Sequence, residues 1–203
     1  MKKVVWRNNQ VISIETKRKD ENRKDNIYVL AQMINKAQLL IFNLFNKDNN
    51  WENVHLSEVP ILFCVYVTRQ FISNSNIYKQ AIEPLSEYPI PKYVIHPLGM
   101  GHRKVTLWQG TPDEREVLVM GTGGGRLIEG HIGDHKVIIP NIPPTDHDTI
   151  NKYELTGVHI YAEFNERLYL CHKFGGNVDP MKNLTFNMPV PIEYKEYIDI
   201  IMS

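Results

Sequence analysis

The chain has 203 residues, with 23 Lys and Arg against 23 Asp and Glu, and 42% of its residues are hydrophobic. That is enough to bury a core without disulfide or metal staples, in one large domain or two small ones. A formal net charge of zero excludes a chain whose main task is to coat nucleic acid or an anionic membrane, because both partners demand an excess of Lys and Arg.

The N-terminal MKKVVWRNNQ has no apolar stretch long enough for a signal peptide, and no window approaches the roughly 18 to 20 apolar residues of a membrane span. Cys64 and Cys171 lie inside the apolar or aromatic runs LFCVYV and LYLCHKF, as small buried hydrophobes do. The expectation is a reducing, cytoplasmic compartment.

In chain order, VVWRNNQVISIETK reads as a strand, with the mixed-charge run Lys17–Asp25 as a solvated hairpin tip and IYVLAQMI as the returning strand. KAQLLIFNLFNK suits a central strand, KDNNWENV a turn, and VPILFCVYVTRQFI a buried strand introduced by Pro60. Prolines 84, 89, 91 and 97 deny a long helix and read as an extended connector. A first module over residues 1–85 and a second over 86–203 are expected, or one continuous domain.

The second half repeats the β idiom: VTLWQG, the turn TPDERE, VLVMG, the glycine loop Gly121–Gly125 as a hairpin connection, RLIEGHI, a GD turn, HKVIIP and the loop IPPTDHD. VHIYAEF and RLYLCHKF then read as a final hairpin about Asn165 and Glu166. The tail PIEYKEYIDIIMS reads as a terminal helix with Ile198 and Ile201 near one face. The expected class is α+β, predominantly antiparallel β, as a partly open barrel or twisted sheets with few helices. Leu30, Phe42, Leu62, Cys64, Val65 and Ile138 are expected to be buried.

Candidate chemistry is sparse. The Gly121–Gly125 loop could cradle a phosphate on its backbone N–H groups, but it lacks the Lys-Ser/Thr of a Walker loop and feeds a strand rather than a helix. His131 and His135, with Asp146 and His147, could hold a metal if folding brought them together. Cys171 and His172 on one strand would point to opposite faces, and there is no G-x-S-x-G elbow. The reading is therefore no catalytic, cofactor or metal residues and no direct nucleic-acid partner. The alternative is a small metal- or nucleotide-dependent enzyme using the glycine loop with His131, His135 and His147.

One pattern is more specific. Tyr28, Val29, Leu30, Ala31, Gln32 and Met33, then Phe42, Asn43, Leu44 and Phe45, then Leu62, Phe63, Cys64, Val65 and Val67 follow one another as three strand-like segments. Over residues 4–75 this order resembles the immunity protein twenty-six family of bacterial polymorphic toxin systems. The resemblance implies a cytoplasmic antidote that binds a cognate toxin C-terminal domain, such as a nuclease, and occludes its active site. A nuclease cleft is basic, so a partner surface would present carboxylates. The candidates are Asp134, Asp146 and Asp148, supported by Glu163 and Glu166 near the expected final hairpin.

Overall fold

The computed structural model describes residues 4–19, 26–35, 37–131 and 134–203. Residues up to 90 supply β1 (Val11–Glu15), β2 (Tyr28–Ile34), β3 (Gln38–Asn46), β4 (Ile61–Val67), α1 (Arg69–Asn74) and β5 (Ile77–Lys79). Residues 91–156 supply β6 (Tyr93–Pro97), β7 (His102–Leu107), β8 (Arg115–Met120), β9 (Gly125–His131), β10 (Asp134–Ile142) and α2 (His147–Lys152). The remainder holds β11 (Val158–His159), α3 (Glu163–Phe174), α4 (Pro180–Thr185) and α5 (Lys195–Met202). The class is α+β with 35% strand against 23% helix, and one sheet is curled into a half-barrel.

Two compact units form: residues 1–90 with 157–178, and residues 91–156 with 179–203. The first unit is discontinuous, because residues 157–178 return to it, whereas a cut in the sequence near residue 85 assigns them to the second. Its six-stranded sheet has the order β11-β4-β3-β2-β1-β5, antiparallel except for the β11–β4 pair. The strand sequences YVLAQMI, QLLIFNLFN and ILFCVYV are apolar almost throughout because both faces of the sheet are covered. On one face Ile12, Val29, Ala31, Ile41 and Val65 pack with Phe71 of α1 and Phe164, Leu168 and Cys171 of α3. On the other, Leu30, Ile34, Leu40, Phe42 and Cys64 pack with Trp51 and Leu56, and with the partly buried Ile82, Leu85 and Tyr88. The proline-rich connector is therefore a lid on the sheet as well as a link. Gln32 pins it: the amide donates to Leu85 O and accepts from Leu85 N–H, both at 2.9 Å, so a side chain imitates a strand partner.

In the second unit, β6, β9 and β10 form one sheet and β7 and β8 another. The glycine loop is not a hairpin connection. It joins the two sheets, and it runs beside Leu98–Gly101: Leu98 N–H donates to Gly124 O, Thr122 N–H to Leu98 O and Gly121 N–H to Gly101 O, each at 2.8 Å. Segments 93–107 and 115–131 thus make one long ribbon, bent where Gly121 takes φ +92° and where a Cβ would meet Leu98 O at 2.8 Å. The core beneath β6 and β9 is Ile95, Leu127, Ile142, Ile150 and Phe186. Arg103 caps the end of α4 by donating to Leu184 O and Thr185 O, and α5 is tied to the β7–β8 hairpin by the Lys195–Asp113 and Arg115–Asp199 ion pairs.

Leu30, Phe42, Cys64 and Val65 are buried as expected, and Leu62 is partly so. Ile138 is 39% exposed, because β10 is the outer strand of its sheet and a register shift falls between Val137 and Ile139. The charged run also departs from expectation at its start: Lys17 is 6% exposed, while residues 20–25 lie outside the described ones. The final hairpin about Asn165 and Glu166 is replaced by the twelve-residue α3. Phe164, Leu168 and Cys171 fall at i, i+4 and i+7, and Gly175 closes the helix in the left-handed region at φ 69°, with Gly176 N–H donating to Cys171 O at 3.1 Å.

Gly125 shows how tightly the second core is packed: a Cβ there would lie 2.8 Å from Phe186 Cζ and 3.0 Å from Ile95 Cγ2. Gly125→Ala is expected to cost about 1–3 kcal/mol by overpacking, read as a lowered urea midpoint. An unchanged midpoint would contradict this packing.

Candidate functional site

A group of buried ionisable side chains surrounds the N-terminal half of α3. Its sequence EFNER sends Phe164 into the core but also buries its neighbours: Glu163 is 8% exposed, Asn165 0%, Glu166 1% and Arg167 0%. Charges are buried only when paired and hydrogen-bonded. Lys17 Nζ meets Glu166 Oε1 at 2.5 Å and sits 3.8 Å from the Tyr169 ring centroid. Lys17 reaches that position through a left-handed backbone, φ 74°, with its N–H donating to Asn165 O at 3.2 Å. The Asn165 side chain donates to Glu15 O and accepts from Ser75 Oγ, both at 2.8 Å, so it joins α3 to β1 and to the end of α1.

Arg167 donates to Val178 O at 2.8 Å, to Asn177 Oδ1 at 3.0 Å and to His159 Nε2 at 3.1 Å. Its guanidinium lies 4.3 Å from the Phe63 ring centroid. His159 in turn sets Nδ1 against the Glu163 carboxylate at 3.3 Å and stacks on Phe164 at 4.7 Å. A guanidinium can only donate, so Nε2 of His159 is an acceptor and the ring proton sits on Nδ1, facing Glu163. A carboxylate-oriented histidine serves as a general base when its second nitrogen faces a substrate. Here Arg167 occupies that nitrogen, and the Glu163–His159–Arg167 row ties α3 to β11.

Removing Lys17 strands the Glu166 charge in the interior. Lys17→Met is expected to cost about 3–5 kcal/mol, and adding Glu166→Met is expected to recover part of that loss. Urea denaturation of the two single variants and the double one reads the coupling; strict additivity would show that the pair is not an interacting unit.

The carboxylates read from the sequence do not form one cluster. Glu163 and Glu166 belong to the first unit and are the buried groups just described. Asp134 opens β10 and is exposed; Asp146 is the half-buried N-cap of α2, its Oδ1 accepting from Thr149 N–H at 3.2 Å; Asp148 is exposed in the first turn of that helix. The nine residues of β10 separate Asp134 from the other two by about 26 Å of strand, at roughly 3.3 Å per residue. The same strand separates His135 from Asp146 and His147, which divides the imagined metal set. Among the described residues, no group of three or more His, Cys, Asp or Glu is placed to hold a metal ion. The glycine loop uses the Gly121 and Thr122 N–H groups on Leu98–Gly101, so they are not available to a phosphate. Cys171 and His172 are neighbours on α3, not on a strand: Cys171 is fully buried and His172 lies against Phe45 at 5.3 Å.

A family model described as a domain of unknown function, DUF8309, matches residues 1–190. The chain belongs to this family. The match spans both units of the DUF8309 chain, including α3 and its polar neighbours. Neither a curated protein nor a solved structure matches it. No helix among the described residues is long and apolar enough to cross a membrane.

One group in this DUF8309 chain has no counterpart in the sequence reading. His96 on β6 pairs directly with Arg126 on β9, and the His96 ring lies 6.5 Å from that of His135 on β10. The three positions are 30 and 9 residues apart, so only the strand pairing brings them together. Burial first, then Arg126 and His135, pull the His96 imidazole below its ordinary range. Burial, then Lys47, does the same to His172. A histidine with a lowered folded pKa binds fewer protons than in the unfolded chain, so its contribution is present above the unfolded value of about 6.5 and is lost as pH falls from there through the lowered folded value. His172→Asn is expected to flatten the loss of melting temperature between pH 7.5 and pH 5.5; an unaltered pH slope would contradict this assignment.

Proposed function

We propose that this DUF8309 chain is a cytoplasmic immunity-type antidote that binds a cognate bacterial toxin domain and blocks its active site. The observation that carries the reading is where the family-like segments fall. Residues 28–33, 42–45 and 62–67 lie on β2, β3 and β4, three neighbouring strands of one sheet, and Gln32 of the first segment fastens the 82–88 lid. The ionisable groups of α3 that could do acid–base chemistry are engaged within the fold, which favours binding over turnover.

The reading assigns the partner surface to the second unit. There β10 is the outer strand of its sheet, with Val137 41% and Ile138 39% exposed, Asp134 at one end and Asp146 and Asp148 beyond the other. An open strand edge offers main-chain pairing, and flanking carboxylates steer a basic cleft toward it. Glu163 and Glu166 leave this set because they are buried in α3.

Co-expression with the C-terminal domain of the protein encoded by the upstream reading frame tests the reading. The expected result is survival of the cells and a stoichiometric complex. Asp134→Lys with Asp148→Lys is expected to lower the association rate at least tenfold at low salt with an unchanged melting temperature; Asp146 is kept because it caps α2. Cell death in the presence of folded wild-type chain would overturn the antidote reading, and unchanged kinetics in the double variant would move the partner surface to the first unit.

A further inference from the structure

The His96–Arg126–His135 group shares β10 with the surface just proposed, through His135, but does not depend on that reading. His96 and Arg126 are cross-strand partners on β6 and β9. On β10, His135 faces Gly130, and its ring lies 6.5 Å from that of His96 with a 34° tilt. Ile128, which lies between Arg126 and Gly130 on the same face of β9, is fully buried.

The hydrogen-bonding account of this group is incomplete. His96 Nδ1, Arg126 Nε and His135 Nδ1 are each shielded from solvent and without a hydrogen-bond partner among the described residues. Three such atoms from three adjacent side chains are unusual, since buried polar atoms nearly always have partners. The charge is equally one-sided: besides burial, the groups that act on His96 are Arg126 and His135, and no carboxylate is among them. A fixed guanidinium beside two imidazoles repels a divalent cation, which argues against the two histidines as metal ligands, and it attracts an oxyanion.

We propose that His96, Arg126 and His135 form a binding site for a tetrahedral oxyanion of the phosphate class, either inorganic phosphate or a phosphate monoester. Arg126 supplies the permanent charge and the two histidines supply donors from the flanking strands. Two donors about 2.8 Å from two oxygens of one phosphate stand at a separation compatible with imidazole rings 6.5 Å apart. Bound anion stabilises the protonated form of the His96 imidazole, so occupancy is stronger at pH 6 than at pH 8. Arg126 on β9 and His135 on β10 are the charged and titratable groups that act on His96.

The test is an NMR titration of the full chain at constant ionic strength, following the histidine side-chain resonances, with inorganic phosphate in one arm and ribose 5-phosphate in the other. Saturable, concerted shifts of His96 and His135, with the exposed His55 and His147 unmoved, are expected; the arm with the tighter Kd identifies free phosphate or an ester as the preferred source. Arg126→Gln is expected to weaken binding at least tenfold while melting temperature in phosphate-free buffer stays the same or rises. Shifts that do not saturate in either arm, or that move all histidines alike, would overturn the proposal from the wild-type chain alone, whatever the folding of the variant.

Discussion

The burial of charge on α3 is the constraint on which the first unit depends. A helix that covers a sheet ordinarily turns an apolar stripe inward and leaves its charges in water. Here Glu166 and Arg167 are as buried as Phe164 and Leu168, so the helix fits only where Lys17, Asn177, Val178 and His159 supply partners. Leaving any of these groups unpaired costs several kcal/mol, more than most single contacts contribute. The network therefore fixes rotation and register: a slide of α3 by one residue would turn Arg167 away from three acceptors at once. It also explains why Lys17 holds a left-handed backbone, a conformation that is unfavourable for a residue with a Cβ.

The same accounting separates structure from chemistry in this molecule. A glutamate, a histidine and an arginine in hydrogen-bonded sequence look like catalytic apparatus, but the direction of each bond decides otherwise. Arg167 donates into the nitrogen of His159 that a substrate would need. In the second unit the situation is reversed, because one nitrogen each of His96, Arg126 and His135 is buried without a hydrogen-bond partner among the described residues. A polar group that is complete within the fold is a structural element, and one that lacks acceptors is a place to expect a ligand. Asp134 at the start of β10 and Asp148 on α2 belong to neither case: they are exposed to water.

Much of the fold was legible where burial is simple. The runs IYVLAQMI, LLIFNLF and ILFCVYV are strands, because a sheet covered on both faces needs apolar residues at every position, and the terminal helix follows from Ile198 and Ile201. What was hidden has definite causes. RLYLCHKF alternates well enough to pass as a strand, and the polar residues EFNER at its start resemble a turn when they are taken as solvated; the two glycines after Phe174 and the spacing of Phe164, Leu168 and Cys171 were the signals for a helix. Lys17 sat in a charged run, and its buried partner is 149 residues away. The separation of Asp134 from Asp146 and Asp148 was implicit in the intervening strand, whereas the meeting of His96, Arg126 and His135 depends on a register between three strands that sequence spacing does not encode.

The central claim is that the polar centre of α3 is a structural network whose hydrogen-bond directions are set by Arg167. The tautomer of His159 tests it most directly, and nitrogen chemical shifts of the imidazole in the folded chain at neutral pH report it. The account predicts a proton on Nδ1, facing Glu163, with Nε2 unprotonated and accepting from Arg167. A proton on Nε2, or rapid exchange between the two nitrogens, would contradict it and return His159 to the set of groups available for chemistry.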